Sequence, residues 1–170
     1  KVAPLWDGGR TVVHLTIAGA NGTVLGPGDT AYQNLVEAID LARPRGQPIR
    51  IDSAAIVPFT VDAEIWVHPD YLVQNVLANV RAVLESAYDL AHREFAQPVA
   101  ASEVVALAQG VEGVEGVTLL AFYRPPVSPT VAPPVEPLLL AAPARFENGV
   151  YHKAELLTLS PSDLTVREAA

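Results

Sequence analysis

Apolar and polar residues alternate from Thr11 to Ile17, with Val13, Leu15 and Ile17 on one face and Val12, His14 and Thr16 on the other. That period of two predicts a half-buried strand whose second set faces outward. Gly19 to Asp29 carries turn residues and leads to Thr30 as the N-cap of a helix. The helix places Tyr32, Leu35, Val36, Ile39 and Ala42 at three- and four-residue steps and is ended by Pro44 and Gly46. Ile49 to Val57 and Val61 to His68 alternate again around Pro58 and read as two consecutive strands, with a hairpin as one way to join them. A long helix is expected over Tyr71 to Ala96. Its stripe is Val73, Val76, Leu77, Val80, Leu84, Tyr88, Ala91 and Phe95, with Asn75, Glu85, Asp89 and Arg93 opposite. A short helix capped by Ser102 and closed by Gly110 precedes a last strand, Gly116 to Tyr123.

Strand, helix, strand, strand, helix, short helix, strand is the order of a ferredoxin-like split βαβ domain of the α+β class. Such a domain has a four-stranded antiparallel sheet with its helices on one face. The spatial order fourth, first, third, second strand would pair Thr11–Ile17 with both Val61–Val67 and Val117–Tyr123. The open face would then carry Val12, His14, Glu64, Trp66, Leu120 and Phe122, and a patch of that apolar content should be covered by something.

Beyond Arg124 the composition shifts. Seven of fifteen prolines fall between Pro125 and Pro143, and Glu136 is the one charged residue from Pro125 to Ala144. Low charge with many apolar residues argues for docking rather than disorder, and Val127, Val131, Val135 and Leu138 are the expected contacts of an extended arm. Asn148-Gly149 is a turn signal, and Glu155 to Leu159 reads as a terminal short strand stopped by Ser160-Pro161. The organisation expected is a lead-in from an upstream region over residues 1–10, a ferredoxin-like domain over 11–124, and a proline-rich arm with a short strand over 125–170. Lys1 reads as an internal cut in a longer protein.

Nineteen acidic against eleven basic residues give a net charge of −8, which disfavours nucleic acid and anionic membranes as partners. The absence of cysteine removes disulfides, thiolate catalysis and cysteine-held metal. His14, His68, His92 and His152 are scattered, and their local acidic neighbours supply at most two ligands each, so no metal or other cofactor is expected. Neither a Gly-x-Ser-x-Gly elbow nor a phosphate-binding loop is present. Asp62 and Glu64 share the outward face of a strand, where charges serve solubility more often than acid–base chemistry. No catalytic residue and no small-molecule substrate are expected.

His68-Pro69-Asp70-Tyr71, the helix after it, Phe95-Ala96-Gln97-Pro98-Val99, Ser102-Glu103-Val104 and Gly110-Val111-Glu112-Gly113-Val114 together resemble the baseplate J-like proteins of contractile phage tails and related injection machines. Val12 to Gly19, Asn34 to Ile39 and Glu155 to Leu159 extend the likeness over most of the chain. The resemblance implies the carboxy-terminal part of such a protein and a scaffolding role without catalytic residues. The implied partners are a second copy and neighbouring wedge proteins, closing a ring around the tail tube. It also implies assembly in the cytoplasm followed by residence in the tail or injection particle. Two features depart from the pattern: Ala96 stands where glycine is expected, and the proline-rich insert is longer and more apolar. The same order of elements also serves amino-acid-binding regulatory domains, for which the Gly19–Asp29 loop would suit, and RNA platforms, for which the cations beside Trp66 are missing.

Overall fold

The computed structural model describes residues 1–19, 23–125 and 133–169. In chain order these form β1 (Val2–Trp6), β2 (Thr11–Ile17), α1 (Thr30–Ala42), β3 (Ile49–Ser53), β4 (Ala55–Pro58), β5 (Thr60–Val67) and α2 (Val73–Ala87). There follow β6 (Val99–Ala100), α3 (Ala101–Gln109), β7 (Val114–Tyr123), β8 (Leu138–Leu139), β9 (Arg145–Glu147), β10 (Val150–His152), β11 (Glu155–Thr158) and β12 (Leu164–Glu168). The fold is mixed α+β, built on several small sheets rather than one.

The first sheet has the order β1-β2-β3, with β1 antiparallel and β3 parallel to β2. The parallel pair is joined through α1, as a crossover requires. Residues 1–10 are therefore more than a lead-in, because Val2 to Trp6 is a paired edge strand. Helix α1 half-buries Tyr32, Leu35, Val36 and Ile39 of the expected stripe and leaves Ala42 exposed, and the Tyr32 hydroxyl donates to the Ile51 carbonyl at 3.2 Å. The outward assignment of Val12 and His14 is reversed: both are buried, with Thr16, whereas Val13, Leu15 and Ile17 are half-exposed. The cause is the β9–β10 hairpin, whose Tyr151 ring stacks on His14 with centroids 6.3 Å apart. Its two-residue loop is the Asn148-Gly149 turn, with both φ angles positive (52° and 79°) as such a hairpin demands.

The second sheet has the order β12-β5-β7, with β12 parallel and β7 antiparallel to β5. Among the described residues a four-stranded ferredoxin-like sheet is not formed. Strand β2 meets neither β5 nor β7, because the run from Ile49 to Val67 breaks at Ala54 and Phe59 and delivers its pieces to three different neighbours. β3 joins β2, β4 pairs in parallel with β11, and β5 enters the second sheet. A β3–β5 hairpin is likewise absent. The place expected for the first strand, between β5 and β7, is closed because those two pair directly. The other edge of β5, where the second strand was expected, is taken by β12, which follows Pro161 and inserts Leu164 and Val166 into the core.

Helices α2 and α3 cover one face of this sheet. Val76, Val80 and Leu84 of α2 and Val104 and Ala108 of α3 bury against Val61, Ala63 and Ile65. Phe59 lies edge-on to both Tyr88 and Phe122, at 5.3 and 5.9 Å between centroids. The long helix stops at Ala87, nine residues short of Ala96, and Asp89 caps a single 3₁₀ turn over Leu90–His92. Arg93, expected on the polar face, is instead buried. Its guanidinium donates to the carbonyls of Gln97 and Pro98 at 3.2 and 2.8 Å and sits over the Tyr88 ring. Ser102 lies inside α3, whose N-cap is Ala100.

Gln97 N–H donates to the Glu94 carbonyl, closing a turn in which Ala96 has φ of 61°. A left-handed alanine costs about 1–2 kcal/mol, against about 0.5–1 kcal/mol of extra chain entropy for glycine. Ala96→Gly is therefore expected to stabilise the protein by about 0.5 kcal/mol, read as a raised midpoint of urea unfolding at unchanged slope. A lowered midpoint would refute this account of the turn.

The boundary at Arg124 is not a packing boundary, since β11 and β12 belong to the sheets of the preceding segment. The described part of the arm docks on its own chain. Val135 bridges Phe122, and β8 pairs antiparallel with β6. Leu139 and Ala141 are buried while Leu138 and Leu140 are exposed, a strand-like alternation. Glu155 clamps the arm, accepting from Ala142 N–H at 2.8 Å and from Arg124 at 3.1 Å.

Candidate docking surface

The face of the β12-β5-β7 sheet away from α2 and α3 is built by the pleat of β5. Val61, Ala63 and Ile65 point inward, so Asp62, Glu64 and Trp66 point outward. Paired residues share a face, which adds Thr118 opposite Glu64, Gly116 opposite Trp66, and Thr165 and Arg167 of β12 opposite Asp62 and Glu64. Trp66, 53% exposed, lies flat over Gly116, where an added Cβ would come within 2.7 Å of its ring. Arg167 forms an ion pair with Asp62, which raises the Arg167 pKa. Among the described residues Glu64 makes no ion pair, although its charge adds to the upward shift of Arg167.

Two β-bulges shape the surface. One, between Asp62 and Ala63 on β5, inserts Leu120 as the extra residue of β7 and leaves it outward and partly exposed. It also inverts the phase of the residues beyond it, so Phe122, placed outward by strict alternation, is fully buried in the core. The second bulge, between Trp66 and Val67, inserts Glu115. Glu115 lies 3.9 Å from His68, which also faces Asp70 at 3.6 Å. Tyr71 donates to Glu112 at 2.9 Å, a bond that raises its phenol pKa. Its ring covers Gly113, whose φ of 89° only glycine adopts readily.

Of the eight residues expected to meet partners, Trp66 and Leu120 lie together on this face. Val12 and Phe122 are interior, Val135 and Leu138 are exposed on the docked arm, and Val127 and Val131 lie outside the described residues. Sequence reasoning missed Val2 and Trp6, exposed on one face of β1, and Tyr71 and Leu72. The alternation Val2, Pro4, Trp6 was a signal for the first pair. The second pair fell in the first turn of the expected helix, and nothing in the local pattern showed that α2 begins only at Val73.

His14 is the centre of another polar cluster. It approaches Asp52 at 3.0 Å and Thr16 at 3.5 Å, and Asp52 is forked by Arg50, which lies over the Tyr151 ring. Burial pushes the Asp52 pKa up, but the bonds from Arg50 and His14 outweigh it and hold the carboxyl below its usual range. With Tyr151 donating to Asp7 at 3.2 Å, the cluster pins the hairpin to the first sheet. Thr16 and His14 are too buried to serve as a nucleophile and base for an incoming substrate. Among the described residues no three His, Asp or Glu side chains converge as a metal site, and no helix is long and apolar enough to cross a membrane.

The family model described as Baseplate J-like central domain matches residues 1–52, the segment that folds as β1, β2, α1 and β3. The resemblance to baseplate J-like proteins thus holds for that segment. The match is to a central domain, so it does not support placing residues 1–52 in a carboxy-terminal part. No curated protein matches the chain.

Proposed function

We propose that this chain is a structural module of a contractile-tail or injection-system baseplate, acting by contact with neighbouring subunits and not by catalysis. The family match over residues 1–52 carries this reading. In it, residues 53–169 form the more carboxy-terminal part of the protein. The open face with Trp66 and Leu120 meets wedge proteins or a second copy, the arm keeps Val135 and Leu138 for such contacts, and the protein ends as part of a tail or injection particle.

Trp66 points away from the core, so Trp66→Asp should leave folding stability within about 1 kcal/mol of the parent. Placed in the full-length protein, it should lower incorporation into particles at least about tenfold, as removal of a central aromatic contact does at interfaces. Particles that contain the variant at parental levels would refute the role of this face.

A further inference from the structure

The end of the β12-β5-β7 sheet where β5 turns into α2 differs from the rest of the surface in its charge. It is made by the end of β5 with the turn into α2, and by the turn from α3 into β7. Trp66 is exposed there on the open face, and on the helix side Tyr71 and Leu72, the latter 73% exposed, line a cleft of about 320 Å³ with Asp70, Glu112 and Asn75, Val76 and Asn79 of α2. The two segments involved, 64–79 and 111–118, contain Glu64, Asp70, Glu112 and Glu115 and no lysine or arginine. The N-terminus of α2 opens onto the cleft without a side-chain cap, but a helix end supplies only about half a positive charge. Arg167 of β12 stands opposite Glu64 and His68 lies between Asp70 and Glu115, so the charge left without a lysine or arginine beside it is that of Asp70, Glu112 and Glu115.

We infer that this corner is the seat for a cationic, arginine-bearing segment of a neighbouring baseplate protein. An arginine there would pair with Glu112 or Glu115 while its plane lies on Trp66 or Tyr71, and an apolar neighbour would cover Leu72. A second copy of this chain is the poorer occupant. A cationic cleft of the chain, with Arg10, Arg43 and Arg45, is partly neutralised by Asp7 at 3.6 Å from Arg10 and Asp40 at 2.8 Å from Arg43. Two copies, each at −8, also repel. The inference rests on the assembly reading and names the chemistry of one partner.

The test uses the whole chain carrying Trp6→Phe, which leaves Trp66 as its one tryptophan. A short peptide of arginine and leucine should change Trp66 emission saturably, and its glutamate counterpart should not. Glu112→Gln with Glu115→Gln should weaken the peptide about tenfold, as should raising the salt toward 0.5 M. No saturable change, or equal affinity for the double variant, would overturn the inference. So would a Trp66 change driven by the chain's own concentration, which would assign the corner to a second copy. Failure here with normal loss of incorporation by Trp66→Asp leaves the assembly reading intact; peptide binding by a chain that never enters particles sinks that reading instead.

Discussion

Phe122→Ala is expected to destabilise the protein by about 3–5 kcal/mol, the cost of removing a large aromatic from a core that cannot collapse around the gap. Phe122 is fully buried and packs edge-on against Phe59, which in turn packs against Tyr88 from the end of α2. The substitution therefore removes one ring of three that join β5, β7 and α2. It also loosens the docked arm, because Phe122 N–H donates to the Pro134 carbonyl and its own carbonyl accepts from Glu136 N–H. Urea unfolding followed by circular dichroism measures the effect. A change within about 0.5 kcal/mol would return Phe122 to the surface, where strict alternation puts it, and would refute the bulge at Leu120.

Truncation after Lys153 is expected to abolish cooperative folding. The residues removed include Leu156, Leu157, Leu159, Leu164 and Val166, all buried, and with them the parallel partners of both β4 and β5. At about 1.5–3 kcal/mol for each buried side chain, the loss is on the order of 10 kcal/mol, as large as the whole stability of an ordinary domain. Thermal melting with Trp66 emission as a second probe distinguishes the outcomes. A sharp, parental transition in the truncated chain would mean that residues 11–124 fold alone and that the segment after them is an appendage.

Some of the architecture was legible because short-range chemistry decides it. The periodicity of Tyr32 to Ile39 specified α1, and Gly110 closed α3. Asn148-Gly149 forced a hairpin turn through backbone sterics, whatever lay around it. The misfit of Ala96 with the family pattern pointed to a backbone position that is in fact left-handed. Part of the docking face was legible for the same reason: Trp66 and Glu64 alternate with Val61, Ala63 and Ile65, and the larger apolar set goes inside.

Tyr71 and Leu72 fell in the first turn of the expected helix, outside its apolar stripe, and stand exposed because α2 starts only after them. His14 looked solvated until Tyr151, 137 positions later in the chain, was found stacked on it. Phe122 changed faces through a single inserted residue, since a one-residue shift reverses every side chain beyond it. The parallel partners of β4 and β5 come from the last sixteen residues of the chain, and local pattern carries no information on which distant strand fills an open edge. Element type, turn chemistry and charge were therefore determined by the sequence alone, because they depend on a residue and its near neighbours. Strand pairing, the burial of His14 and Arg93, and the assembly of one acidic, aromatic corner were decided by the tertiary structure. Each depends on burying apolar area between segments far apart in sequence, where many pairings have the same local pattern and only the packed whole selects among them.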